Sequence, residues 1–191
     1  ETGTNVKVDD PKDKVYDGEA HQWEPTVKDG EKTLVKDTDY TVTYDTTDFT
    51  NVTGEITVTI TGTGNYTGTV TKTYQITPAT LTISTEGGTK TYDGTPLTNP
   101  KNEVIGLVKN ETLDVTNTGT ITEVGKTDNE YVVNWKSENT TAKEKNYTVQ
   151  KGTIGILEVT AKSIETGADI NVNDPKDKVY DGEVHQWEPT V

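Results

Sequence analysis

The sequence predicts an all-β protein made of small β-sandwich domains, and three observations lead to this prediction. Thr makes up about one residue in five, and Val, Ile and Tyr dominate the apolar residues; these side chains suit the pleated, half-buried surface of a sheet. Apolar residues alternate with Thr over short runs, and turn residues separate the runs. Only 29% of the residues are hydrophobic, which favours several thin domains over one large core.

The strands are identified by a period of two. Tyr40, Val42 and Tyr44 alternate with Thr in the run DYTVTYD, so that one face is apolar and the other can contact water. Comparable runs lie at 56–60, 70–76, 81–83, 113–115, 132–134 and 154–156. At most Asn102–Val108 forms a helical turn. Short strands at regular spacing predict Ig-like sandwiches; a β-grasp-like sheet is the alternative, but it needs a helix that the pattern does not provide.

A long internal repeat sets the organisation of the chain. The segment Asp10–Val27 recurs at Asp174–Val191 with one mismatch, Ala20 against Val184. The offset is 164 residues (174 − 10). Such near-identity indicates a tandem array whose unit of about 164 residues is present once in full and begins a second time.

A weaker repeat divides that unit into two related domains. KVYDG at 14–18 is echoed by KTYDG at 90–94, and GNYT at 64–67 by KNYT at 145–148. We therefore predict domains at 1–78 and 79–164 in an elongated arrangement, followed at 165–191 by the truncated first strands of the next unit. We expect this tail to be disordered, packed on its predecessor or paired with a strand of another chain.

The charge of the chain excludes two classes of partner. The net charge is −14, and all 18 basic residues are Lys. Nucleic acid and anionic membrane surfaces both attract clustered Lys and Arg, so neither is an expected partner. The sequence has no apolar run near 20 residues, so we expect no membrane contact within it.

No residue pattern indicates catalysis, a metal site or a cofactor. The only histidines, His21 and His185, occupy the same position in successive repeats, and Cys is absent. The carboxylates of the 37–39 and 45–48 loops lack the Gly and the final Glu of an EF-hand loop. We therefore predict that the protein is not an enzyme and holds no metal or cofactor.

The motifs resemble a known class of repeat. The pattern K-x-Y-D-G, then D-Y-T-V-x-Y, then V-T-I-T-G-x-G-N-Y-T-G, closing on Y-x-I-T-P-A, resembles the YDG/MBG-type repeat domains of bacterial, mostly Gram-positive, cell-surface adhesins. Residues 14–79 match the pattern well, and 80–160 match it more loosely.

This resemblance implies an extracellular protein anchored to a bacterial cell wall. Such repeats often act as stalks that project a binding head, with neighbouring repeats of the same chain as their partners. The alternative is that the repeat is itself adhesive and binds a host glycan or a host surface protein.

Two groups of residues are candidates for more specific roles. Trp23 and Trp135 either pack in a core or domain interface, or are exposed for ligand binding. Some adhesin domains in this setting join a Lys to an Asn covalently; the alternative is exposed Lys and turn-forming Asn. The candidates for such a cross-link are Lys14, Asn65, Lys90 and Asn146.

Overall fold

The fold is all-β. The computed structural model describes residues 6–165 and 176–189, and within these ranges the only helical element is a single 3-10 turn, Glu144–Asn146. The all-β prediction is confirmed. The finer assignment to Ig-like sandwiches in tandem stays a prediction.

The first half of the chain forms two small sheets. Its strands are β1 (Val6–Val8), β2 (Lys14–Val15), β3 (Val27–Asp29), β4 (Lys32–Thr33), β5 (Tyr40–Tyr44), β6 (Glu55–Gly62) and β7 (Thr69–Thr77). One sheet has the order β1-β3-β4 and the other β2-β7-β6-β5. All these pairs are antiparallel except that of β2 with β7, which is parallel.

The second half forms three sheets. Its strands are β8 (Ala79–Thr85), β9 (Gly88–Thr91), β10 (Asn102–Ile105), β11 (Val115–Asn117), β12 (Gly125–Asp128), β13 (Tyr131–Val133), β14 (Tyr147–Lys151) and β15 (Ile156–Thr160). The orders are β10-β8-β14, β11-β13 and β12-β15-β9. Strands β14 and β8 pair in parallel, as do β15 and β9.

The two Tyr-Asp-Gly motifs stand in equivalent places. Each follows a short edge strand that runs parallel to the last strand of its half, with Lys14 opposite Ile76 and Lys90 opposite Val159. The pairing continues beyond each edge strand: the Tyr16 N–H donates to the Thr77 carbonyl at 2.8 Å, and the Tyr92 N–H donates to the Thr160 carbonyl, also at 2.8 Å. The weak sequence repeat is thus repeated in the backbone pairing.

The core follows the predicted alternation. Ile56, Val58 and Ile60 of β6 are buried, as are Leu81 and Ile83 of β8. Burying each such side chain contributes about 1.5–3 kcal/mol relative to leaving it in water. Thr fills the positions between them, where a β-branched side chain favours the strand even when it is partly exposed.

The prediction of a helical turn at 102–108 is wrong. Asn102–Ile105 is strand β10, which pairs antiparallel with β8 and places Val104 opposite Ile83. The side-chain amide of Asn102 donates to the Val115 carbonyl at 3.2 Å. This pairing with distant segments outweighs the weak local preference.

The recurrent tail is described at 176–189. These residues form no strand and are exposed. Positions 166–175, 190 and 191, which the tail prediction also covered, lie outside the described residues. The domain boundaries at 78/79 and 164/165 stay predictions, although the strand pairs among described residues never join a strand before Pro78 to one after it.

Candidate functional site: the contact between the two halves

A cluster of polar and aromatic side chains joins the two halves of the chain. We call it the inter-repeat contact. Its members are Tyr16, Asp48, Asn51, Val52, Glu111, Trp135, Asn146 and Tyr147.

Two tyrosines form the centre of the contact. Tyr16 is 6% exposed and Tyr147 is 7% exposed. Their rings meet edge to face, with centroids 5.4 Å apart and planes at 83°, which is a preferred geometry for aromatic pairs. Trp135 stacks on Tyr147 with centroids 6.4 Å apart and planes at 20°. Trp135 therefore packs on the second-half tyrosine of the pair.

Glu111 bridges the two tyrosines. The Tyr16 hydroxyl donates to Glu111 Oε1 at 2.6 Å, and the Tyr147 hydroxyl donates to the other carboxylate oxygen. The Tyr147 hydroxyl also accepts a bond from the Val108 N–H at 3.0 Å. Burial, followed by the bond to Glu111, raises the pKa of Tyr16 to about 12 and also raises the pKa of Tyr147. Both hydroxyls therefore remain protonated donors near neutral pH.

A buried amide forms the second half of the contact. Asn146 is fully buried; its Oδ1 accepts from the Val52 N–H at 2.9 Å, and its Nδ2 donates to Asn51 Oδ1 at 2.9 Å. The Asn51 Nδ2 in turn donates to both oxygens of Asp48 at 3.0 Å. The amide of Asn146 thus satisfies a backbone N–H of the opposite half, which would otherwise be costly to bury.

Two lysines lie at the edge of this amide cluster. Lys143 Nζ donates to Asn51 Oδ1 at 3.2 Å, and Lys145 Nζ lies 3.7 Å from Asp48 Oδ2. The backbone N–H of Asn51 is the main cause that lowers the pKa of Asp48, so this carboxylate is ionised near neutral pH. Exposed ion pairs of this kind contribute little to stability, about 0–1 kcal/mol each.

The covalent connection between the halves is short. Strand β7 ends at Thr77 and β8 begins at Ala79, so Pro78 alone separates them. The proline ring fixes φ of that residue, and Ala79 is buried. A one-residue connection beside a packed contact leaves little room for the halves to bend.

Trp23 lies away from this contact. Its backbone N–H donates to the Tyr74 hydroxyl at 3.3 Å, and its backbone carbonyl accepts from the Tyr44 hydroxyl at 2.8 Å. The half-buried side chain packs against the core and lines an open cleft of about 430 Å³. Charged residues share the lining: Asp10, Lys12, Lys14 and Glu24.

The candidate cross-link residues are not brought together. Lys14 and Asn65 are exposed. Lys90 Nζ instead donates to Asp93 Oδ1 at 2.6 Å and to Thr95 Oγ1 at 2.8 Å, and this lysine is the main cause that lowers the pKa of Asp93. The side-chain amide of Asn146 bonds to the Val52 N–H and to Asn51 rather than to a lysine side chain. A Lys–Asn bond stays a prediction.

Residues 6–165 and 176–189 contain no cluster of three or more His, Cys, Asp or Glu that could hold a metal ion. In the same ranges, no helix has the length and apolarity needed to cross a membrane.

Sequence reasoning did not find Glu111, Asn51 or the role of Asn146. Asn146 was a candidate for a different role, a covalent cross-link to a lysine. Glu111 lies 95 residues from Tyr16 along the chain, and no local pattern links the two. A signal that could have identified Asn146 is its comparison with Asn65, the exposed counterpart in the first half.

Comparison with known proteins found no matching family model, no similar curated protein and no similar solved structure. The function proposed below therefore rests on the chain's own residues and on the motif resemblance.

Proposed function

We propose that this chain is a spacer repeat in the stalk of a bacterial cell-surface adhesin, where it helps to carry a binding head away from the cell wall. The observation that supports this function is the inter-repeat contact. A stalk needs successive domains held in a fixed relation, and here Tyr16, Asn146 and Tyr147 are buried beside a one-residue connection. A flexible tether would instead leave such groups in water.

Composition supports an extracellular location on the cell wall. The acidic surface with a net charge of −14 favours solubility of a long exposed array and discourages association between neighbours. The absence of Cys and Met removes the side chains that are oxidised most readily.

Small-angle X-ray scattering of the full chain tests the stalk function. We expect the wild type and Glu130→Ala to give one narrow distribution of distances, because Glu130 pairs with Lys151 inside the second half. We expect Glu111→Ala to broaden the distribution, because it removes the bridge between the halves. Scattering of the wild type as two freely jointed bodies, unchanged by Glu111→Ala, would contradict the proposal.

A second candidate function is adhesion by the repeat itself, and the Trp23 cleft favours it. An aromatic ring beside carboxylates and ammonium groups offers a stacking surface and polar contacts to a sugar. Saturable binding to mucin, a glycan array or matrix proteins that is lost in Trp23→Ala and kept in Trp187→Ala would favour adhesion over the stalk. Absence of retention for the wild type would leave the stalk as the better function.

A further inference from the structure

Residues 176–189 of the tail are a copy of residues 12–25, a segment that packs against the first half. The turn of this segment is formed in both copies. Asp17 Oδ1 accepts from the Glu19 N–H at 2.9 Å and lies 2.8 Å from His21 Nε2. In the tail, Asp181 Oδ1 accepts from the Glu183 N–H at 3.0 Å and lies 2.7 Å from His185 Nε2. The glycine of each turn has φ of 83°. The turn therefore forms without the surrounding domain.

In the first half, this segment docks along the edge of the sheet through β7. The Gln75 N–H donates to Asp13 Oδ1 at 2.9 Å, and the Tyr16 N–H donates to the Thr77 carbonyl at 2.8 Å. The Tyr74 hydroxyl donates to the His21 carbonyl at 2.8 Å. The segment makes these contacts through its backbone and the Asp13 side chain. The same residues recur 164 positions later in the tail.

The tail exposes the tyrosine that its counterpart buries: Tyr180 is exposed, whereas Tyr16 is buried. Val179, Tyr180 and Val184 are exposed apolar side chains. The single difference between the two segments is Ala20 against Val184, and Ala20 is exposed in the docked copy. The larger side chain would therefore meet solvent rather than the sheet.

We propose that residues 176–189 of one chain dock on the first half of a second copy of this chain, in the place of residues 12–25. The exchange would add the tail as an edge strand parallel to β7. It would also place Tyr180 where Tyr16 packs on Tyr147 and donates to Glu111. The contact joins the tail of one chain to the first half of another, so it is head-to-tail.

Residues 12–25 of the same chain compete with residues 176–189 of a second chain for the same sheet edge. Both copies would make the same contacts on the sheet edge, so the segment of the same chain is favoured by its effective concentration, which is roughly millimolar for sites joined by a short flexible linker. The preformed turn reduces the ordering cost of the incoming tail. A substitution that weakens only the local copy therefore shifts the balance towards exchange.

The first test compares Tyr16→Ala with the double variant Tyr16→Ala, Tyr180→Ala by light scattering after size exclusion over a concentration series. In the single variant the tail of a neighbour restores the missing tyrosine, so we expect dimerisation at least ~10-fold tighter than in the double variant. Equal association of the two variants would overturn the proposal.

A second test works in a chain with both tyrosines intact and does not depend on the stability of a Tyr16 variant. The protein has no Cys, so any disulfide that forms must come from the introduced cysteine pair. Val15 is the strand partner of Thr77, and Val179 is the repeat of Val15. We expect Thr77→Cys with Val179→Cys to give disulfide-linked dimers and longer species under oxidation at high protein concentration.

The matched control is Thr77→Cys with Val15→Cys, which should close a bond within one chain. If the Val179 pair gives only monomers, whether reduced or closed within one chain, docking on a second copy is wrong. Loss of the linked species when residues 176–189 are added as a free peptide would support it further.

Discussion

The two copies of the Tyr-Asp-Gly-Glu motif at 16–19 and 180–183 share a sequence and a turn but have opposite environments. Tyr16 is 6% exposed, whereas Tyr180 is 92% exposed. The Asp-Gly turn forms in both, because the carboxylate, the N–H two residues on and a glycine that tolerates positive φ are all local. Burial of the tyrosine needs Thr77, Glu111 and Tyr147, which lie far along the chain. The motif thus encodes its turn locally and its packing only through the rest of the repeat.

The largest expected effect is the difference in stability loss when Tyr16 or Tyr180 is replaced by alanine. Tyr16→Ala should lower the free energy of unfolding by about 3–5 kcal/mol, because it removes a buried ring and one of the two hydroxyl donors to Glu111. Tyr180→Ala should change it by less than about 0.5 kcal/mol. Urea denaturation followed by tryptophan fluorescence measures both.

The comparison would break if the two variants lost similar stability. That result would mean that Tyr180 is packed in solution as well as Tyr16. Repeating the measurement at several protein concentrations distinguishes packing within one chain from docking on a second copy, since only the latter depends on concentration.

Alkaline pH should separate Tyr16 from an exposed tyrosine. Its pKa is raised from 10.0 to about 12 in the folded protein. The folded state therefore holds this proton more tightly than the unfolded state. The resulting stability is complete below pH 10 and is lost as pH rises through about 12.

The loss should reach about 2–3 kcal/mol above pH 12, since each pKa unit corresponds to about 1.4 kcal/mol. Lysines also titrate in this range, so the informative quantity is the difference between the wild type and Tyr16→Phe. The phenylalanine variant should lose less stability between pH 10 and 12. If the free energy of unfolding falls equally with pH in the two proteins, Tyr16 does not contribute to the loss of stability at alkaline pH.

Much of the strand pattern could be predicted from the sequence because it is a local signal. The runs at 40–44, 56–60 and 70–76 appear as β5, β6 and the greater part of β7, since alternation of apolar residues with Thr directly reports one buried face. Asn102–Ile105 was harder to predict, because its first two residues, Asn102 and Glu103, are polar and the evidence for the strand is its pairing with β8. Pairing between distant segments leaves no periodic trace in either one.

The candidate site was predictable only in part. The repeated KxYDG pattern places Tyr16 and Tyr92 at equivalent positions, but it does not show which of the two is buried. Tyr92 is only half-buried, whereas Tyr16 is covered by Tyr147 and bonded to Glu111 of the other half. Burial of the repeated motif is therefore decided by its neighbour, which the motif itself does not encode.

The asparagines of the two N-Y-T motifs should differ in their contribution to stability by an intermediate amount. Asn146 is fully buried and holds the Val52 N–H, while Asn65 is exposed. Asn146→Ala should lower the free energy of unfolding by about 1–3 kcal/mol, because a buried N–H loses its acceptor. Asn65→Ala should cost less than about 0.5 kcal/mol.

Thermal or urea unfolding of both variants measures this difference, and scattering of Asn146→Ala shows whether the two halves also separate. A loss below about 0.5 kcal/mol for Asn146→Ala as well would indicate that the contact at Asn146 adds no stability. A broadened distance distribution without loss of stability in either half would assign Asn146 to the orientation of the halves alone.

The smallest expected effect belongs to the one position at which the repeats differ. Ala20→Val makes the docked copy identical to the tail over all 18 aligned positions. Ala20 is exposed, so the substitution should change the free energy of unfolding by less than about 0.5 kcal/mol. A loss above about 2 kcal/mol, the size expected for overpacking, would show that the tail sequence does not fit the docking edge. In that case the contrast between Tyr16 and Tyr180 would arise from a mismatch in the segment itself, and the exchange proposed above would fail for the same reason.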